Sequence, residues 1–575
     1  MALRDRRSNV ANGLRFGIIC NEPVQEDWQV QCVKQLLRLP HVQIALVIIC
    51  DNPRSFQSLL SSGREDDKSH ALMLLFSKII FRARALRKTT TNIFSDVTSI
   101  HCKTILDGHF RRFSEKDVQR IEKYDLDFIL NFAFERIAGA ISKVPRHGIW
   151  CFHHGDIDKP VGHPACFWEI YNGENVTASF LLKLTDTPNV FVVLRKGYFK
   201  TVDYSYSRNV DSVYLGCVHW PAQVCSDILN DHAAYLDEPP IRTKHDSPAL
   251  PNTLQVVIFF VKMSRNMIRK FHRGVFRQAE WNIGVISGSI ESLLQDSLPT
   301  PVWLPRVKKG TILADPFAIE WRGRVYVLCE TLKTKGAIAV IDVTDPTNPS
   351  LPQVVIELPH HISYPYVVLH NAQVYCIPET AEAKQVYLYR AVDFPHKWTR
   401  DAVLIRDFAA VDSTIFTHEG RWWLFCTARG QDHNLFVWYS DHLNGPWMPH
   451  SGNPVKTDIR SARPAGPPFV QNGQLYRPAQ DSSATYGGRI VINRILRLTP
   501  AEFKEEQITV IQPFRHSRYP DGLHTISAIG NMILCDGKRL RFLGIRPIIS
   551  ILRDRWHNRT SSEPLTTPPF GCDLE

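Results

Sequence analysis

A chain of 575 residues that is 44% hydrophobic is long enough for two large units with complete cores. Its net charge of +11 comes from basic residues that are scattered and interrupted by acids, so a soluble basic enzyme is expected and a nucleic-acid partner is not. Thirteen cysteines, an odd number without short regular spacing or paired CxxC motifs, exclude a disulfide scaffold and point to reduced, mostly buried thiols.

No apolar run approaches the ~18 residues that a bilayer span requires. The N-terminal stretch MALRDRRSNVANGLRFGIIC has only a brief apolar run that continues as a strand, so it is not taken for a signal peptide and a cytoplasmic location is expected. Arg15 to Cys20 and Val42 to Cys50 are short β-branched runs of the buried parallel type, and Trp28, Cys32 and Leu36 recur between them at helical spacing. That is a βαβ unit. It lacks the GxGxxG glycines of a dinucleotide site. A basic helix is expected over Ala71 to Leu86, a strand over Asp127 to Phe132, a small-residue helix from Ile137, and a strand from Ile149 that delivers His153. Strands alternating with helices over residues 1–235 predict an open, mostly parallel α/β sheet.

The stretch Gly148 to Ile170, GIWCFHHGDIDKPVGHPACFWEI, crowds His153, His154 and Asp156 at a strand exit, where open α/β sheets place ligands. His153, His154, Asp156, Asp158 and His163 also have the residue types of a zinc site, at irregular spacing. With the following FWEIYNGENVTAS, the stretch resembles the catalytic segment of the folate-dependent formyltransferases. The resemblance implies a formyl group carried by 10-formyltetrahydrofolate to an amino sugar or sugar conjugate. It also implies a site made of an Asn, a His two residues on, and a later Asp. Here those positions hold Cys151, His153 and Asn189, with Asp186 near enough to replace the acid, which implies a partly degenerate site. His153 would be the general base, in one pocket with Asp186 or Asn189 at the sheet edge. Cys151 would lack an oxyanion donor worth ~10²–10³ in rate in acyl transfer.

Residues 236–280 are proline-rich at first and then basic, with a helix expected over Lys262 to Arg277, and predict a linker. That helix either packs and solvates itself or touches a membrane surface or anionic ligand. Over 281–550 five segments repeat a strand, a tight turn and a strand with a polar end. Their turns fall at Gly323, Ala372, Gly420, Gly473 and Gly530, about 50 residues apart. This predicts a five-bladed β-propeller, with Trp281 to Gly288 closing the ring and a disordered tail over 556–575.

Equivalent positions in a propeller converge on its axis. Eight residues before the turns stand Asp315, Tyr364, Asp412, Ala465 and Gly522; seven after stand Glu330, Glu379, Thr427, Gln480 and Gly537, with Asp481 beside Gln480. Arg463, Tyr486, Asp521 and His524 are expected at the same rim. Clustered carboxylates suit glycoside chemistry or the holding of sugar hydroxyls, or else they cap strands and pair with arginines. Replacing Asp315 or Asp412 by Ala is expected to leave folding intact while abolishing glycan binding.

SYPYV with CIPET, and ARPAG with RPAQDSSATYGGRI, resemble the five-bladed propellers of glycoside hydrolase family 43 and, more closely, the propeller fused to plant glucosamine inositolphosphorylceramide transferases. In the plant family glycosyl transfer belongs to a separate domain. ADP at 314–316 resembles the base motif of the hydrolases. Two readings follow: a formyltransferase-like protein with a propeller that holds a carbohydrate or sugar nucleotide, or a propeller glycosidase or glycan-binding protein with a non-catalytic N-terminal domain. Neither includes a metal site.

Overall fold

The computed structural model describes residues 13–22, 25–50, 82–107, 110–133, 137–159, 163–187, 189–242, 251–295, 298–306, 312–332 and 335–544. The chain forms two units, Met1–Met267 and Ile268–Glu575. Their division falls inside the helix Thr253–Phe276. The expected tail lies outside the described residues, as does most of the expected helix over 71–86, of which residues 82–86 form turns.

In the first unit one eight-stranded sheet runs Ser99–Cys102, Val42–Cys50, Leu14–Cys20, Phe128–Asn131, Ile149–His153, Val176–Leu184, Val190–Lys200 and Ile241–Arg242. The first five strands are parallel; the central ones bury near-continuous apolar runs, as a sheet covered on both faces requires, while the edge strand Ser99–Cys102 alternates exposed and buried residues. The helix Asp27–Leu36 starts at a capping box in which the Glu26 amide donates to Gln29 Oε1 at 2.9 Å. It buries Trp28, Cys32, Val33 and Leu36 in the core.

The expectation of a mostly parallel sheet needs correction on one side, where the last three strands run antiparallel. Between Ile149–His153 and Val176–Leu184 the described residues hold only the six-residue helix Phe167–Asn172. At about 9 Å it is too short to carry the chain back along the sheet, so the next strand returns beside its neighbour in the opposite sense.

The second unit is a five-bladed β-propeller, with one four-stranded antiparallel path per blade. Blades one to three begin with the inner strands Ile312–Trp321, Ser363–His370 and Ala410–His418; blade four runs from Phe469–Gln471 to Phe503–Ile511. Blade five takes its inner strands, Ile526–Ile529 and Met532–Phe542, from the end of the chain and its outer two, Arg277–Ser287 and Val302–Trp303, from the start of the unit. The strand expected to close the ring does so. Inner hairpins of the first four blades turn on paired left-handed residues, such as Arg322 with Gly323 and Glu419 with Gly420. In blade two the second of these is Ala372, at φ 58°. All twelve described cysteines of the chain are free and buried.

Candidate functional site

The inner strands of blades one to three slip register at the same place, between Ala314 and Phe317, Ser363 and Tyr366, and Val411 and Thr414. Asp315, Tyr364 and Asp412 sit in these bulges at φ 54°, 43° and 53°. A bulge turns its amide out of the ladder, and a buried amide must find another acceptor. Each is caught by a carboxylate of the preceding blade. The Asp315 amide donates to Asp536 Oδ2 at 3.2 Å, the Tyr364 amide to Asp315 Oδ2 at 3.1 Å, and the Asp412 amide to Glu379 Oε2 at 3.3 Å. These acids are therefore clasps between blades, which corrects the expectation that Asp315 could be truncated without cost to folding.

Further contacts tie the ring together. Thr525 Oγ1 donates to Asp315 Oδ1 at 2.7 Å, and His524 Nε2 lies 3.4 Å from the same oxygen. His524 Nδ1 is 2.5 Å from Asp536 Oδ2, and its ring lies against Trp281 with centroids 4.2 Å apart. On the far side Asp412 accepts from Arg463 Nε at 2.6 Å and from Gln480 Nε2 at 2.7 Å. Arg463 also reaches Asp432 at 3.2 Å and lies over the Tyr486 ring. Gln480 Oε1 is buried without a hydrogen bond. His361 Nε2 lies 3.5 Å from the Glu330 carboxylate.

Buried acids outnumber cations here, and the proton affinities follow. Burial raises Glu330 well above the carboxylate range, with Asp315, Glu379, Asp536 and Asp412 adding to the rise. Burial and then Asp412 push Glu379 to about 8 against the pull of Arg463. Asp315 reaches about 6 through burial, opposed by His524 and reinforced by Asp412 and Asp536. Burial would lower His524, but Asp536 and Asp315 outweigh it and hold the imidazole above its ordinary value. At neutral pH the ring thus holds protons that a cationic ligand would displace.

Asp315, His524 and Asp536 bring three ligand atoms within 4.8 Å of one another. Two carboxylates and an imidazole fit a divalent cation, and the imidazolium supplies positive charge to the same acids without one. Among the described residues this is the one group close enough to hold a metal, and it is not the set whose residue types suggest zinc in the sequence.

The other expected site residues part company. Asp481 beside Gln480 points the opposite way along the strand and is committed to Ser483 and to Arg489 Nε at 2.8 Å, so it does not join the ring. In the first unit His153 pairs with Phe180, whereas Leu184 pairs with Ile149. Asp186 and Asn189 follow Leu184, so they lie at the other end of the strand, at least about 13 Å from His153. Asp186 there pairs with Lys143 at 2.7 Å. The antiparallel return that overturned the sheet expectation also disperses the acid–base pair expected for formyl transfer from 10-formyltetrahydrofolate. Cys151 is a buried strand residue. His154 is a core residue, stacked on Tyr214 at 3.7 Å with Nδ1 2.9 Å from Ser179 Oγ. Asp156 accepts the Asp158 amide in a turn. The zinc set is not assembled.

Asp536 and Thr525 were missed. Asp536 stands one residue before the position that repeat counting gives to Gly537; its trace in the sequence is an acid inside the apolar strand ILCDG.

Residues 306–519 match the family of glucosamine inositolphosphorylceramide transferase 1, N-terminal. The chain is 35% identical over 214 residues to glucosamine inositolphosphorylceramide transferase 1 of Arabidopsis thaliana, covering 35% of this chain and 27% of that protein. The protein of that name from Oryza sativa subsp. japonica is 40% identical over 157 residues, 26% of this chain and 21% of the relative. The matches thus span about a quarter of these relatives' length. Among solved structures, a family 117 glycoside hydrolase of Zobellia galactanivorans aligns at TM-score 0.31 and 14% identity, over 46% of this chain and 90% of its own. The exo-β-1,3-galactanase 1,3Gal43A of Clostridium thermocellum aligns at 0.29 and 13%, over 36% and 49%. The five-bladed architecture rests on the sheets themselves.

Proposed function

We propose that the propeller binds a sugar bearing hydroxyl and amino groups at the ring of Asp315, Glu330, Glu379, Asp412, Arg463 and Gln480, and that it serves a sugar-transfer reaction on a glycoconjugate. What carries the reading is the surplus of buried acceptors. Gln480 Oε1 is buried without a hydrogen bond, and Glu330 is held among four other acids with His361 Nε2 near it, at 3.5 Å; hydroxyl or ammonium groups would satisfy both. Similarity over 306–519 to proteins named as glucosamine-conjugate transferases supports a sugar-transfer role. Recognition is favoured over hydrolysis because Asp315 is committed to a clasp between blades, accepting from Thr525 Oγ1 and from the Tyr364 amide.

Titration calorimetry of the full chain with a glucosamine oligosaccharide and its N-acetylated counterpart tests this. The free amine should bind at least about tenfold tighter, with proton release, and Glu330→Gln should abolish the preference. Equal binding of the two sugars, binding of neither, or release of reducing ends would overturn the proposal.

A further inference from the structure

The helix Thr253–Phe276 has 24 residues and contains no Asp or Glu. One face is docked: Val256 and Phe259 are buried, Phe259 stacks on Phe167 at 4.5 Å, and Lys262 Nζ donates to Tyr171 O at 2.5 Å. A second apolar face has no such partner among the described residues. Leu254, Val257, Val261, Ile268 and Phe271 recur three, four or seven residues apart and so form one stripe along the helix. Four of the five are 63–67% exposed. Isolated exposed apolar residues are ordinary, but a stripe running most of the length of a helix is not. Beside it Arg265, Arg269 and Arg273, four residues apart, make a second, exposed row, and no ion pair reaches them among the described residues.

We infer that this helix docks the protein on an anionic lipid bilayer, lying in the interface with its stripe among the acyl chains and its arginine row on the headgroups. The two rows match two layers of a single planar surface, and the absence of any carboxylate on the helix removes the repulsion that such a surface would otherwise meet. The helix lies on the membrane and does not cross it: no described helix is long and apolar enough to span. This inference is independent of the sugar site.

Flotation of the full chain with vesicles tests it, comparing pure phosphatidylcholine with phosphatidylcholine containing about a quarter phosphatidylserine. The chain should float with the anionic vesicles and leave them in high salt. Arg269→Glu and Arg273→Glu should each weaken binding about fivefold or more, and Ile268→Glu by about tenfold or more. These side chains are exposed, so thermal melting should be unchanged; if Ile268→Glu melts early, Val261→Gln takes its place. Glucosamine-oligosaccharide binding by the variants should be unaltered, which separates this surface from the propeller ring. The inference falls if neither vesicle binds, if both bind equally, or if Ile268→Glu floats like the wild type. It also falls if Ile268→Glu instead dissociates a dimer, which would assign the stripe to a second copy of the chain.

Discussion

Blade four and the propeller axis bury carboxylates equally well and treat them in opposite ways. Glu505 receives Arg477 through two hydrogen bonds, at 2.9 and 2.6 Å, and Lys456 at 2.7 Å. Burial would raise its pKa, but Arg477 and Lys456 outweigh burial and hold it at about 2. At the axis the same burial meets more acids than cations, and Glu379 rises to about 8. Depth alone does not decide what a buried acid is for. The balance of partners does: a fully matched acid is structural, and a surplus one waits for a ligand.

The sharpest way to break this contrast is to unmatch Glu505. Glu505→Gln strands the buried Arg477 charge and should cost about 3–5 kcal/mol in urea unfolding. Glu379→Gln at pH 7 should cost far less, because the native acid is already largely protonated and an amide oxygen still accepts the Asp412 amide. An equal loss in both variants would erase the distinction.

Acidity separates the two regions next. Glu379 is raised from 4.5, so its contribution is full below about 4.5 and is lost as pH climbs through 8. Glu505 is lowered, so its contribution is full above 4.5 and is lost as pH falls toward 2. Between pH 5 and 8 the wild type should lose stability on the order of a few kcal/mol, and Glu379→Gln should flatten that slope. A wild-type profile that is level over this window would place the axial acids among the matched ones.

A smaller effect tests the clasps. Asp315→Ala leaves the Tyr364 amide without its acceptor and should cost about 1–3 kcal/mol in thermal unfolding, with Asp315→Asn recovering part of it. Ala372→Gly, at a hairpin far from either acid group, should raise stability by at most about 1 kcal/mol, since glycine adopts φ 58° without strain. A loss there would mean that the Ala372 methyl packs where the hairpin geometry gives it no role.

The propeller was legible because its signals repeat. Five turns at a near-constant interval mark the hairpins, and counting from them brings Asp315, Glu330, Glu379, Asp412 and Gln480 together. Counting failed where a strand was offset by one residue, as at Asp536, or where two neighbours face opposite ways, as at Gln480 and Asp481. In the first unit individual strands were legible and their directions were not. Residues 154–175 do not advertise that the helix Phe167–Asn172 is too short for a crossover, and one reversed strand was enough to part His153 from Asp186. The clasping role of the acids was hidden as well, because a bulge amide leaves no mark in the residue pattern.

Closure of the ring has a consequence for synthesis. Arg277–Ser287 pairs along its whole length with Met532–Phe542, from Arg277 opposite Phe542 to Ser287 opposite Met532, and the Leu543 amide donates to Phe276 O at 2.8 Å. The first long strand of the unit to leave the ribosome must therefore wait for the last one, with four blades made in between. Such sequence-distant pairing slows folding, because a very large loop closes before the contact rewards it. Until then both partners expose open strand edges, and a chain halted before Met532 keeps such an edge permanently, as a template for aggregation. The same adjacency of ends suits the ring to circular permutation, with residues 276 and 543 joined and new termini opened at one of the exposed hairpins.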